Sequence, residues 1–308
     1  MGRLLLELGP CLLLGLVLGQ RRPRLADRLA PWLLTWGVPL SLTGLLLRAG
    51  LQRGSLAAGL LTLVLCSGGL LLTRSLRPLH RWLPQRALQI GAVVGNTAYV
   101  GLPVAIALLP AQALSVSISV DLVGTMVTWT LGPLLLAEHD GSSRWRWLPV
   151  LLSTPVCRAL LLAAPLAFSP WGPWLGLVLW WPARLVLWLL LLLVGMRLGA
   201  LLARLVRSEG MLPWLRLLPA VLIKLMIWPA LVWLIAAGVA LPPLASAALV
   251  LQAATPTAMS VLLLTESSVS ERRAEEVASA ARLVLATTLV AVFSLPLWGL
   301  ALQAHLHG

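Results

Sequence analysis

Charge is what this sequence has least of. Only 11% of its 308 residues are charged, where a soluble domain carries about a quarter. No hydrophilic stretch is long enough for a soluble domain. Hydrophobic residues make up 59%, and the mean hydropathy is +0.94. That excludes a water-soluble globule. Cysteine is also scarce. Cys11, Cys66 and Cys157 lie far apart in apolar segments, which excludes a disulfide framework or thiolate metal site and leaves a packing role. No glycine-rich phosphate loop is present, which excludes ATP-driven transport by this chain alone. Acids are nearly missing from the apolar segments. Of the histidines, His139, His305 and His307 fall in loops or at the end, and His80 in a basic connection. A membrane-embedded enzyme needs clustered acids or His, Ser or Cys constellations, so no enzyme, catalytic residue, cofactor or metal site is expected.

What is present is arginine between long apolar runs. The net charge is +13, and 22 of the 23 basic residues are Arg, the exception being Lys224. Their short clusters orient a membrane protein rather than bind nucleic acid. Apolar runs near 4–19, 31–47, 55–73, 88–109, 112–136, 148–168, 174–196, 213–237, 243–264 and 277–300 predict ten spans of about 20 residues. Pro182 either kinks or starts the seventh. The first run is followed by Arg21, Arg22 and Arg24 and has no small-x-small cleavage site, so it reads as a helix with its N-terminus outside rather than as a signal peptide. With that orientation, Arg3, Arg48 and Arg53 fall outside, and Arg158, Arg184 and Lys224 fall within spans. The other seventeen of the 23 basic residues fall on the inner side. The asymmetry predicts both termini outside a plasma (inner) membrane. Many of the 15 tryptophans, Trp82 and Trp298 among them, lie near span ends as an aromatic belt.

Ten spans divide into five plus five, and an odd number per half requires the halves to be inverted. The expected fold is an all-α polytopic membrane protein with ten helices in a 5+5 inverted repeat. Residues 1–137 form the first repeat, 138–147 (EHDGSSRWRW) a polar cytoplasmic linker, and 148–308 the second repeat, a single membrane domain overall. Spans four and nine then correspond, and both are interrupted. Span four carries Gly95-Asn96-Thr97-Ala98-Tyr99-Val100-Gly101-Leu102-Pro103, and span nine carries Gln252-Ala253-Ala254-Thr255-Pro256-Thr257. Irregular backbone at membrane depth survives only inside protein or beside a wet cavity. Asn96 is positioned to cap a second half-helix, as is Thr255 with Pro256 at the first helical position. An ordinary Gly- and Pro-bearing span is the alternative for either segment alone. Paired interruptions in two halves are a pointer to a transport site, with helices four and nine broken and crossing.

The strings GNTAYVGLP at 95–103 and ATPTA at 254–258, with Gly19 before an Arg-rich turn and Pro39 in the second span, resemble the bacterial auxin efflux carrier (AEC) family, relatives of the plant PIN transporters. The resemblance covers the chain in span number and order, and the G-N-T-x-x-x-G-x-P string is its strongest motif. It implies ten helices in an inverted repeat, with helices four and nine crossing at their breaks. A carboxylate-bearing substrate would bind there between a scaffold and a moving domain, and Gly95, Asn96, Thr97, Pro256 and Thr257 would sit at the crossing. Two departures stand out. The long central hydrophilic loop of the plant members is missing, and the third span, Ser55 to Thr73, has no acid.

Two half-helix N-termini meeting at a crossing favour an anion, since each carries roughly half a positive charge. The candidate substrate contacts are Asn96, Thr97, Pro256, Thr257 and Gln252, with Tyr99 a weaker one. The helix-break residues are Gly95, Gly101, Pro103 and Thr255. Asp121, the one acid well inside a span, and Lys224 are candidates for coupling, singly or as a pair. Arg158 and Arg184 read as packing or snorkelling residues, with Arg158 also a candidate for the cavity. Glu266, Glu271, Glu275 and Glu276 are expected to be solvated and paired with Arg272 and Arg273. The expected function is a secondary transporter of a small organic anion of the carboxylate class, as an efflux or ion-coupled carrier working by alternating access. A proton or sodium is the candidate coupling ion, the lipid bilayer the surroundings and a homodimer the candidate assembly. An anion channel or a non-transporting membrane scaffold is the alternative.

Overall fold

In a computed structural model of the protein, the described residues are 2–49, 53–136, 155–208, 212–268 and 272–307. The expected linker 138–147 lies outside them, as do Arg144, Arg146 and Glu271. The described residues form helices α1 (Gly2–Arg21), α2 (Pro23–Trp32), α3 (Val38–Ala49), α4 (Arg53–Ser75), α5 (Arg77–His80), α6 (Arg86–Gly91), α7 (Leu102–Leu108), α8 (Ala113–Leu136) and α9 (Pro155–Ala167). They continue with α10 (Gly172–Val178), α11 (Trp180–Ser208), α12 (Leu212–Leu215), α13 (Leu218–Leu222), α14 (Trp228–Gly238), α15 (Pro243–Ala253), α16 (Met259–Glu266) and α17 (Arg273–His307).

Among the described residues, six stretches are long and apolar enough to cross a membrane: Pro23–Arg48, Gly54–Ser75, Ala113–Leu136, Trp180–Ala203, Leu218–Gly238 and Arg273–Leu306. Their outer faces are apolar. Leu56, Leu60, Val64, Leu71 and Leu72 of α4 are all exposed, as are Phe293 and Leu297 of α17. Contiguous apolar surface of this extent needs a non-aqueous neighbour. The chain is an all-α membrane protein. Pro182 falls in the first turn of α11, so it starts that helix rather than kinking it.

Among the described residues, π-helical turns interrupt the helices at Leu33–Gly37, Thr97–Gly101 and Ile223–Ile227. Each is followed two residues later by a proline: Pro39, Pro103 and Pro229. Proline has no N–H to donate, and its ring crowds the carbonyl four residues back. Widening the preceding turn relieves that crowding.

The helices sort into two groups. In one, α1 lies along α11, and α3 packs on α9, α10 and α11. The first contact is backbone to backbone. Gly15 and Gly19 face Gly195 and Gly199, and a Cβ built on Gly15 would lie 3.0 Å from the Gly195 Cα. This is the small-xxx-small packing by which membrane helices approach closely. In the other group, α4 packs on α8, α15 on α8 and α14, and α6 and α16 on α17. One large apolar core joins these helices, and smaller cores join α3, α9 and α11.

Charge bolts one end of the second group. Glu276 of α17 is buried, and its carboxylate accepts the backbone N–H groups of Arg86 (3.1 Å) and Ala87 (2.6 Å), the first donors of α6. The Arg86 guanidinium donates to the Leu136 carbonyl at the end of α8 (2.9 Å). Both contacts complement helix dipoles. Glu276 is therefore not the solvated residue expected. The first N–H groups of a helix lie beyond its own ladder of carbonyls, and here a carboxylate 190 residues away accepts them. Glu275 likewise accepts from the Gln85 amide (3.0 Å).

Candidate functional site

Both interrupted segments break where they touch. Beyond α6, Ala92 and Val94 still donate to Leu88 and Ile90 (both 2.9 Å), and the chain then extends at Gly95. Beyond α15, Ala254 still donates to Val250 (2.9 Å), and the chain extends through Pro256 and Thr257. Gly95 and Thr257 form an antiparallel bridge. Its bonds are Asn96 N–H to the Pro256 carbonyl (2.7 Å) and Ala258 N–H to the Val94 carbonyl (3.2 Å). Each break thus satisfies polar backbone groups of the other, as irregular backbone at this depth requires. Glycine at 95 is needed for the approach, because a Cβ there would collide with Thr255 Oγ1.

The caps differ from expectation. Asn96 precedes the π turn Thr97–Gly101, but its side chain makes no capping bond. The side chain faces a cavity instead. Thr255 does not start the second half-helix either. Its hydroxyl donates back to the Gln252 carbonyl (2.7 Å), closing α15, and α16 begins at Met259 after Ala258. Pro256 therefore lies in the extended link rather than at a first helical position, where Thr257 must stay extended to form the bridge. Pro103 is not at the break; it sits in the first turn of α7.

A cavity of about 170 Å³ opens between the two helix groups. The second group lines it with Asn96, Thr97 and Tyr99 at the start of one half-helix, Met259 and Ser260 at the start of the other, and Asp121 of α8. The first group contributes Leu34, Val38 and, from α11, Arg197. Two helix N-termini and a guanidinium thus converge on one space, an arrangement that attracts anions. Asp121, 1% exposed, accepts the Thr97 hydroxyl on Oδ1 (2.5 Å), and its Oδ2 has no hydrogen-bond partner among the described residues.

The opposite ends of the same segments meet a cation. Lys224 is fully buried, and its ammonium donates to the Ala253 carbonyl (2.9 Å) and the Val93 carbonyl (3.4 Å). Among the described residues it forms no ion pair with Asp121: Asp121 meets the start of the half-helix at Thr97, and Lys224 meets the carbonyl ends of the preceding ones. Gln252 is fully buried with both amide atoms unpartnered among the described residues, beside a smaller cavity of about 40 Å³ that Thr97 also lines. Gly101 makes room for it, since a Cβ there would collide with Gln252 Oε1.

The other expected contacts hold the site together rather than lining the main cavity. Thr257 is fully buried. Its hydroxyl donates to the Gly91 carbonyl (2.8 Å), and its N–H donates to the Thr287 hydroxyl (3.1 Å). Pro256 supplies its carbonyl to the bridge. Arg158 is exposed and does not line the cavity, whereas Arg184 stacks among Trp180, Trp181 and Trp188. Sequence reasoning missed Arg197 by assigning it to an inner connection. The signal was its place inside Gly195-Met196-Arg197-Leu198-Gly199, whose glycines press against α1. Among the described residues, no three His, Cys, Asp or Glu side chains gather as a metal site would. No protein-family model matches the chain. No curated protein matches it either.

Proposed function

We propose that the protein is a secondary transporter of a small organic anion of the carboxylate class, working by alternating access at the crossing of its two broken helices. The observation that carries this reading is the convergence of two half-helix N-termini and Arg197 on one cavity between two helix groups. At about 170 Å³ the cavity is smaller than the roughly 300–1,000 Å³ clefts of drug-sized ligands, which suits a small metabolite. A site lined from both groups opens to one side or the other when one group rocks against its neighbour.

Membership of the AEC family, with ten spans in a 5+5 inverted repeat, belongs to the same proposal. The G-N-T-x-x-x-G-x-P string supports it, as does the matching break in the second half of the chain. The neighbour pairs are in keeping with it: α1 packs on α11 and α9 on α3, the pairs that an inverted repeat would relate. Asp121 is the proton-coupling candidate, because its free oxygen sits beside the anion cavity.

The test is uptake of labelled dicarboxylates and indole acids into proteoliposomes. Saturable uptake with counterflow is the expected result. Flux that does not saturate makes the protein a channel, and no flux of any anion leaves a scaffold.

A further inference from the structure

The proposed anion site accounts for the N-terminal ends of the half-helices and leaves their carbonyl ends unexplained. Carbonyl ends of broken membrane helices are ligands for hard cations such as sodium. Here the turn that follows α6 and the last turn of α15 present the Val93 and Ala253 carbonyls to one point, and that point is filled by Lys224 Nζ, at 3.4 and 2.9 Å. The side chain is fully buried, and a buried charge needs a compensating partner. None of the described carboxylates pairs with it, so the carbonyl ends supply the compensation. The charges match. Each helix end carries roughly half a negative charge, so two ends balance about one ammonium. Glycine at 95 keeps the position open, because a Cβ there would lie 3.2 Å from Nζ.

We infer that Lys224 is a tethered replacement for an alkali-metal ion at the carbonyl side of the crossing. The ammonium and a metal ion cannot share these two carbonyls. The occupied site therefore keeps the crossing assembled without sodium or potassium, and anion movement needs neither. The statement about movement rests on the transporter reading above; the statement about the ion site does not.

The experiment has two readouts. Melting of the purified protein is followed in sodium and in choline chloride of equal concentration, and anion flux is measured in proteoliposomes in the same salts. The wild type is expected to melt at the same temperature and transport at the same rate in both. Lys224→Met, which keeps the length and removes the charge, is expected to melt lower in choline and to regain stability in sodium, with flux lost in choline and restored by sodium. A sodium-dependent rise in wild-type melting temperature overturns the inference. So does a folded Lys224→Met protein that melts alike in both salts. If Lys224→Met does not fold, Lys224→Gln takes its place, and the wild-type melting arm decides without either. Absence of flux in every condition, with the expected melting pattern, counts against the transporter reading and leaves the ion site standing.

Discussion

Asn96 is buried, makes no capping bond and lines the cavity proposed to take the anion. A helix cap contributes about 1 kcal/mol to stability; Asn96 has no such role to lose. Asn96→Ala is therefore expected to leave the melting temperature of the purified protein unchanged and to remove uptake. Arg197 is the cation the other helix group brings to the same cavity. A hydrogen bond to a charged group contributes about 1.5–3 kcal/mol, so Arg197→Gln is expected to raise the KM for a carboxylate roughly ten- to hundredfold. Uptake against concentration checks it. Asp121 carries an unpartnered oxygen beside this site. Asp121→Asn keeps its shape and removes its proton exchange, so the variant is expected to transport at a rate that no longer varies with pH. Flux measured from acid to neutral pH tests this, and an unaltered pH profile would reject the role.

At the scale of elements, the breaks are built from glycine and extended backbone, and the helices around them are anchored by dipoles. Glu276 illustrates the second point. Its carboxylate accepts the first two N–H groups of α6, which have no carbonyl one turn back in their own helix to bond to. Glu276→Ala is expected to cost about 1–3 kcal/mol, the penalty for stranding buried donors. A lower melting temperature, with transport of the surviving folded fraction retained, is the outcome to measure. The positions of the breaks could be read from the chain, because glycine, proline and amide residues in an apolar run are local signals. How each break closes could not. Asn96 and Thr255 are good capping residues in isolation, yet the Asn96 N–H is engaged by Pro256, and Thr255 turns back to Gln252. The Asn96 bond exists only because the two segments meet, whereas the Thr255 bond is local and closes α15 instead of starting the next half-helix.

At the scale of the whole molecule, two helix groups share one cavity, and their relative motion is what transport would use. The arginine distribution predicts both termini on the outer side. A reporter fused after His307 is expected to be active only outside the membrane, and cytoplasmic activity would overturn the topology. The sequence by itself determined that the chain is an all-helical membrane protein, where its apolar runs lie and where two of them are interrupted. Hydropathy and backbone restriction act over a few residues, so composition alone carries them. Tertiary structure decided which atoms each singular residue meets. Lys224 reaches carbonyls 29 and 131 residues away rather than Asp121. Arg197, read as a loop charge, lines the cavity, and Glu276, read as solvated, caps a helix from the far end of the chain. These partners are chosen by how packed helices rotate and approach, and no short-range pattern records that.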